Sequence, residues 1–330
     1  MSAQLSPDDS AVLREIVRQD SSIVLDASKD YLLENRLGPI MKAHEVTSFT
    51  DLAAQVRRTP GSPLRSAVVQ AMTTNETSFF RDVHPWETMR TDLLPQLIET
   101  QASQRHLTFV CAACSSGQEP YTIAMLLHEY FPQIAASWRI RIMANDLSNE
   151  MVERTKAGVF SQIEVGRGMP AALLAKYFTR KGMKWEARSD LRSMIQATPG
   201  NLAQGAAWDA LPFVDAVFLR NVLIYFAQDT KTSILRHAHA RLKPTGFLML
   251  GSSETTIGVD NQFEREQVGR TVVYRPTDTG RPAAAPPAAA TSAFASSTPA
   301  SRPASFGATP ATPARPPTTA PARAFGTTRP

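Results

Sequence analysis

Residues 107–127, Leu-Thr-Phe-Val-Cys-Ala-Ala-Cys-Ser-Ser-Gly-Gln-Glu-Pro-Tyr-Thr-Ile-Ala-Met-Leu-Leu, constrain this chain more than any other stretch. Leu107 to Ala112 is a short apolar run with the length and composition of a buried parallel strand. Small residues and one glycine follow, Cys114-Ser115-Ser116-Gly117. Pro120 then suits the first turn of a helix, and Ile123, Leu126, Leu127 and Tyr130 continue at helical spacing. A strand, a tight turn and a helix N-terminus present free backbone N–H groups at the carboxyl edge of a sheet, where open α/β folds bind ligands. One glycine falls short of a G-x-G-x-x-G fingerprint, so the stretch predicts a ligand edge without naming the ligand.

The alternation continues downstream. Arg139 to Ala144 reads as a second strand ending at Asn145-Asp146, with Ser148 capping the next helix. Asp146 lies 29 residues beyond Gly117, where a nucleotide-binding α/β domain places the carboxylate that holds ribose hydroxyls. Pro170 to Phe178 is expected as a helix, and Met183–Glu186 and Leu191–Ala197 as strands of a small antiparallel excursion at about residues 180–195. Phe213–Leu219 is another buried strand, terminating in Arg220-Asn221. After Val222–Phe226 come a helix from Gln228 to Leu242, a turn at Lys243-Pro244-Thr245-Gly246 and the strand Phe247–Leu250. Phe263–Gln267 and Thr271–Tyr274 form a hairpin around Gly269. Five parallel strands and a hairpin predict an α/β fold, a doubly wound, mostly parallel sheet over residues 100–276.

Residues 1–72 predict a small all-helical domain. Ser6-Pro7-Asp8-Asp9 combines a serine cap, a proline at the first helical position and acids facing the macrodipole. Further helices are expected from Lys29 to Leu37, ending before Gly38-Pro39, from Ser48 to Val56, and from Ser62-Pro63 through Met72. Residues 73–99 join this bundle to the sheet. They comprise a polar run, Thr73 to Ser78, closed by Phe79-Phe80-Arg81, and a helix from Pro85 to Ile98 that Pro95 should kink or split. Residues 277–330 collapse to Ala, Pro, Thr and Ser and predict a disordered tail.

Charge excludes one function class. The net charge is +5, but residues 281–330 hold five arginines and no acid, so residues 1–280 are neutral. The basicity belongs to the tail, and the body is not predicted to bind nucleic acid. No apolar run approaches the ~20 residues of a membrane span, and the acidic N-terminus lacks an apolar signal region, which predicts a cytoplasmic protein. Cys111 and Cys114 form a C-x-x-C, open to a redox or metal reading. Yet Cys111 lies inside the apolar run and no second pair exists, so two buried free thiols and no metal site are expected.

Taken together, Thr74-Asn-Glu-Thr-Ser-Phe-Phe-Arg81, Ala112-Ala-Cys-Ser-Ser-Gly-Gln-Glu-Pro-Tyr-Thr-Ile-Ala124, Asn145-Asp-Leu-Ser148, Arg220-Asn-Val-Leu-Ile-Tyr-Phe226 and Leu242-Lys-Pro-Thr-Gly246 resemble the bacterial chemotaxis receptor methyltransferases, the CheR family. The resemblance covers about residues 8–275 and departs from the family pattern at Cys111 and Cys114. It implies a class I S-adenosylmethionine methyltransferase fold and transfer of a methyl group from S-adenosylmethionine to glutamates in the helical cytoplasmic region of chemoreceptors. S-Adenosylhomocysteine is then the product, and the enzyme acts as a monomer. It further implies that Asn75, Thr77, Arg81, Glu119, Asp146, Asn201, Leu202, Arg220 and Asn221 line the cofactor pocket. Residue chemistry suggests Glu119 for the cofactor's amino group, Arg81 for its carboxylate or the substrate's, Asp146 for the ribose, and Asn201-Leu202 for adenine. Arg81 and Tyr225 are the candidates for positioning the substrate, with no general base expected. Arg36, Arg57 and Arg58 are candidates for docking the receptor. Methyl transfer to another acceptor, or a sensor or scaffold that binds the cofactor without turnover, are the alternatives. A nicotinamide dehydrogenase is disfavoured by the missing glycine fingerprint.

Overall fold

The computed structural model describes residues 5–278. The predicted tail lies outside the described residues apart from its first two. Ten strands are described: β1 His106–Ala112, β2 Arg139–Asp146, β3 Val159–Ser161, β4 Phe178–Lys181, β5 Lys184–Ala187, β6 Ile195–Pro199, β7 Val214–Leu219, β8 Leu242–Leu250, β9 Phe263–Val268 and β10 Thr271–Pro276. Seven of them form the main sheet in the order β6-β2-β1-β7-β8-β10-β9. The first five are parallel, and β10 and β9 close the edge as an antiparallel hairpin.

The apolar runs become these strands because both faces of the sheet are covered. Along β1, Phe109 and Cys111 enter one core while Val110 and Ala112 enter the other. That is the two-residue alternation of a strand buried on both sides. From β1 the chain winds outward through β2 to β6, then returns to β7 on the other flank of β1. The order reverses between β1 and β7, which opens a crevice at their carboxyl ends.

Helices α1 Pro7–Ser21, α2 Asp30–Ala43, α3 Phe49–Arg58 and α4 Pro63–Ala71 precede the sheet. Ser6, Ser48 and Ser62 cap α1, α3 and α4, each accepting a bond from the backbone N–H three residues on. α2 does not stop at Gly38-Pro39. It runs through both, because Leu33, Leu37 and Met41 keep one buried face continuous and outweigh the single backbone bond that Pro39 forfeits. The buried faces of α1–α4 share one cluster with Val110, Val217, Leu219 and Leu248 of the sheet. Pro95 disrupts its helix as expected. His84–Thr88 and Leu94–Thr100 are α-helical, and Met89–Leu93 between them is a π-turn, a common way to absorb a missing donor.

Three further expectations are corrected. The excursion is larger than residues 180–195, since β3, β5 and β4 form a three-stranded antiparallel sheet within residues 159–187. Leu191–Ala197 is not a strand of it: Ser189–Ser193 is a helical turn, and Ile195–Pro199 pairs in parallel with β2 at the edge of the main sheet. Lys243–Gly246 does not precede its strand but bulges within β8, where the register with β7 jumps from Val214↔Leu242 to Ala216↔Phe247. Lys243 Nζ is held there by the buried Asp215 at 2.8 Å.

Candidate functional site

A pocket of about 900 Å³, counting its open mouth, occupies the crevice between the carboxyl ends of β1 and β7. Its floor is the turn after β1. Ala113, Ser115 and Gly117 all have positive φ, 56°, 51° and 98°, a strained run for two non-glycine residues. Asn145 and Asp146 at the end of β2 hold it. The Cys114 N–H donates to the Asn145 carbonyl at 2.8 Å, the Ala113 N–H to Asn145 Oδ1 at 3.3 Å, and the Ser115 N–H to Asp146 Oδ2 at 2.8 Å. Asp146 Oδ1 accepts from the Ser148 N–H at 2.9 Å. A Cβ on Gly117 would lie 2.9 Å from Thr155 Oγ1, so both backbone angle and space demand glycine there. Burial pushes the Asp146 carboxyl above the usual carboxylate range, against the pull of its backbone N–H donors.

The second wall follows β7. Asn221 has φ 58°, and a 3₁₀ turn spans Leu223–Tyr225. One carboxylate organises this loop: Glu254, four residues past β8. It accepts the N–H groups of Asn221 (2.6 Å), Val222 (2.9 Å), Leu223 (2.7 Å) and Gly251 (2.7 Å). Glu254 was not foreseen from sequence, although an acid just beyond a strand end is the same signal that marks Asp146. It lies outside the pocket, whereas Asn221 and Tyr225 line it.

Thr73 to Arg81 forms the lid side, and its odd composition is explained by its anchors. Phe79 is fully buried, edge-on to Phe160 (5.0 Å) and Phe178 (5.8 Å). The Ser115 hydroxyl donates to the Asn75 carbonyl at 2.8 Å. Phe80, Asp82 and Val83 all have positive φ. Arg220 clamps that strained corner from behind, donating to the Arg81 carbonyl and to Asp82, each at 2.9 Å, and to Glu119 at 2.9 Å. Its guanidinium also lies 5.2 Å from the Trp86 ring centre. Arg220 is 2% exposed and Glu119 14%. Burial raises the Glu119 carboxyl, and Arg220 opposes that rise. Asn221 Oδ1 is buried without a hydrogen-bond partner, so an acceptor in this wall stands ready for a donor.

Asn75, Thr77, Arg81, Glu119, Asp146, Asn201, Leu202, Arg220, Asn221 and Tyr225 all line this pocket. Two of the suggested residues also carry structural bonds. The Asn201 amide donates one N–H to the Asp20 carbonyl at 2.9 Å and its Oδ1 accepts from the Ala203 N–H at 3.0 Å, which fixes the side chain and leaves one N–H and one lone pair for a ligand. Arg36 donates to the carbonyls of Ala71 and Thr73, which ties α2 to the start of the lid segment and leaves Arg57 and Arg58 as the exposed cations. Sequence reasoning also missed Ser21 and Ile23, which line the pocket from the end of α1. Ile23 bridges to Phe226, and the Val24 N–H donates to the Tyr225 carbonyl at 2.9 Å. No motif marks such a contact.

Cys111 and Cys114 are buried and free, and burial pushes both thiols up. Among the described residues no cluster of three or more His, Cys, Asp or Glu is placed to hold a metal ion, and no helix is long and apolar enough to cross a membrane.

The chain was compared with known families and proteins. Residues 75–272 match the family model for the S-adenosylmethionine-binding domain of CheR methyltransferases, and residues 8–73 match the model for their all-alpha domain. The chain is 37% identical over 272 residues to chemotaxis protein methyltransferase 1 of Pseudomonas aeruginosa, covering 81% of this chain and 97% of that protein. It is 36% identical to chemotaxis protein methyltransferase Cher2 of Pseudomonas putida, covering 79% and 95%. With chemotaxis protein methyltransferase 1 of Vibrio cholerae it shares 35% identity, covering 77% and 91%.

Proposed function

Because the chain belongs to the CheR methyltransferase family and uses S-adenosylmethionine, we propose that it esterifies glutamate side chains in the helical cytoplasmic region of chemoreceptors, as a monomer in the cytoplasm. The observation that carries this reading is the pocket's division of chemistry. Acids, amides and two arginines surround a crevice whose strained backbone is fixed in advance. The residues suit the cofactor. Asp146 can accept from a diol, Glu119 and the unpartnered Asn221 Oδ1 can receive an ammonium group, and Leu202 offers an apolar face. When bound, S-adenosylmethionine supplies an electrophilic methyl group on a sulfonium.

The protein's own work is then alignment. A glutamate carboxylate, with an ordinary pKa of about 4.3, is already an anion at neutral pH and attacks without a general base. Arg81 and Tyr225 orient its oxygen. Arg220 keeps Glu119 and the Arg81–Asp82 corner in place, so the groups that grip the donor and those that aim the acceptor share one anchor. Positioning of this kind is worth up to about 7–11 kcal/mol, and exclusion of water helps two opposite charges react to neutral products. Arg57 and Arg58 at the end of α3 offer cations to the receptor.

Methyl transfer from labelled S-adenosylmethionine to a purified chemoreceptor cytoplasmic fragment tests the reading. A base-labile methyl ester on glutamate is expected. A base-stable product, or cofactor binding without transfer, overturns it.

A further inference from the structure

A second cavity shares part of its lining with the cofactor pocket. It is a groove of about 520 Å³, lined by Glu76, Thr77, Ser78, Arg81, Arg167 and Gly168. The first four of these also line the cofactor pocket, so one segment borders both spaces. Arg81 belongs to both linings, and Arg167 to the groove's alone.

Three observations show that this placement is built. Arg167 follows the helical turn Gln162–Val165, which a reciprocal Ser161–Glu164 capping box fixes. Gly168 has φ 79°, and a Cβ there would lie 2.0 Å from the Phe79 carbonyl oxygen, so the turn lies flush against the lid segment's backbone. Phe79 is itself locked against Phe160 in β3 and Phe178 in β4. The excursion and the lid therefore form one wall, and Arg167 is held at its rim.

Charge then points to the occupant. Arg167 is exposed, and among the described residues it makes no ion pair. Arg81 donates to a backbone carbonyl, that of Glu76 at 3.1 Å, and pairs with no acid either. Glu76 is the groove's one acid. Two cations that form no ion pair among the described residues, on the lining of one groove, suit an acidic ligand.

We propose that this groove seats the acceptor segment: Arg81 meets the carboxylate to be esterified, and Arg167 meets a neighbouring acidic side chain of the same segment. The inference rests on the glutamate-acceptor reading above and adds how that acceptor is held. Arg167 is then a specificity residue for acidic surroundings, contributed by the excursion and not by the parallel sheet.

The test measures initial rates against a chemoreceptor cytoplasmic fragment, with S-adenosylhomocysteine affinity by calorimetry on the same proteins. Arg167→Glu should raise KM for the fragment by about tenfold or more, the scale of a lost charge-assisted contact, and leave S-adenosylhomocysteine affinity unchanged. Arg167→Lys should restore most of the KM. Unchanged KM in Arg167→Glu overturns the proposal while leaving the glutamate reading intact. Parallel loss of KM and cofactor affinity also overturns it, since the residue would then be structural. A wild-type protein that forms no ester removes the reading itself, and this proposal with it.

Discussion

The two strand ends that frame the pocket are built alike and used differently. After β1 and after β7 the chain enters left-handed backbone, and in each case a carboxylate from the end of a neighbouring strand catches the exposed N–H groups. Asp146 serves the first, taking the Ser115 N–H there and the Ser148 N–H of its own loop while also lining the pocket. Glu254 serves the second, taking four from outside it. One acid is both a fastener and part of the pocket lining; the other is a fastener only. Strain at a binding edge thus needs an acceptor nearby, but that acceptor need not face the ligand.

Replacing the two acids should separate these roles. Glu254→Ala strands several backbone donors at once, each costing roughly 1–3 kcal/mol if unsatisfied. After partial rescue by water, a loss of about 3 kcal/mol in denaturant unfolding is expected, with turnover falling further than cofactor affinity. Equal losses in turnover and affinity would mean that Glu254 also shapes the donor site. Asp146→Asn keeps the size but turns one acceptor into a donor facing an N–H. Its signature should be reversed: S-adenosylhomocysteine affinity down by about tenfold or more, with a stability loss of about 1–2 kcal/mol. If stability falls without affinity, Asp146 is a fastener like its counterpart.

A smaller effect follows from protonation. Burial holds Asp146 and Glu119 above the ordinary carboxylate range, and both must be ionised to meet a cation or a diol. Affinity for S-adenosylhomocysteine should be flat near neutral pH and fall as pH drops through those raised values, sooner than for exposed carboxylates. Their contribution to folding has the opposite sign. A folded-state pKa above the unfolded one favours the folded state at low pH, and that share is lost as pH rises through the folded value. Calorimetric titration across pH, paired with unfolding curves, reads both. The smallest effect concerns Cys111 and Cys114, which lie at the first strand end only. With both thiols buried and their pKa raised, the native protein should not react with a thiol reagent, and denatured protein should show two reactive groups. Fast labelling of Cys114 alone would mean that the first turn opens in the native protein.

The same comparison shows what could be read from the chain. Asp146 announced itself because an acid at a strand end is a local signal. So did the strands, as apolar runs buried on both faces. Glu254 sends an equally local signal, but its partners are main-chain groups more than thirty residues earlier, and no side chain marks them. Thr74–Arg81 looked unusual for a linker, yet only the packing of Phe79 against β3 and β4 explains it. Those two strands are short, and β4 is exposed along most of its length, so neither carries a periodic pattern. Gly38-Pro39 misled in the opposite way, because burial kept a helix going through two residues that usually end one.

The joint between Ile23 and Phe226, with Asp20 accepting from Asn201, has a consequence for how the molecule can be divided. Sawn off at residue 74, the remaining chain would keep every residue the family resemblance assigns to the cofactor after Thr74, yet one side of the donor's chamber would stand open to water. Bound S-adenosylhomocysteine should escape such a fragment faster than it escapes the whole chain, which would make the leading helices custodians of the donor.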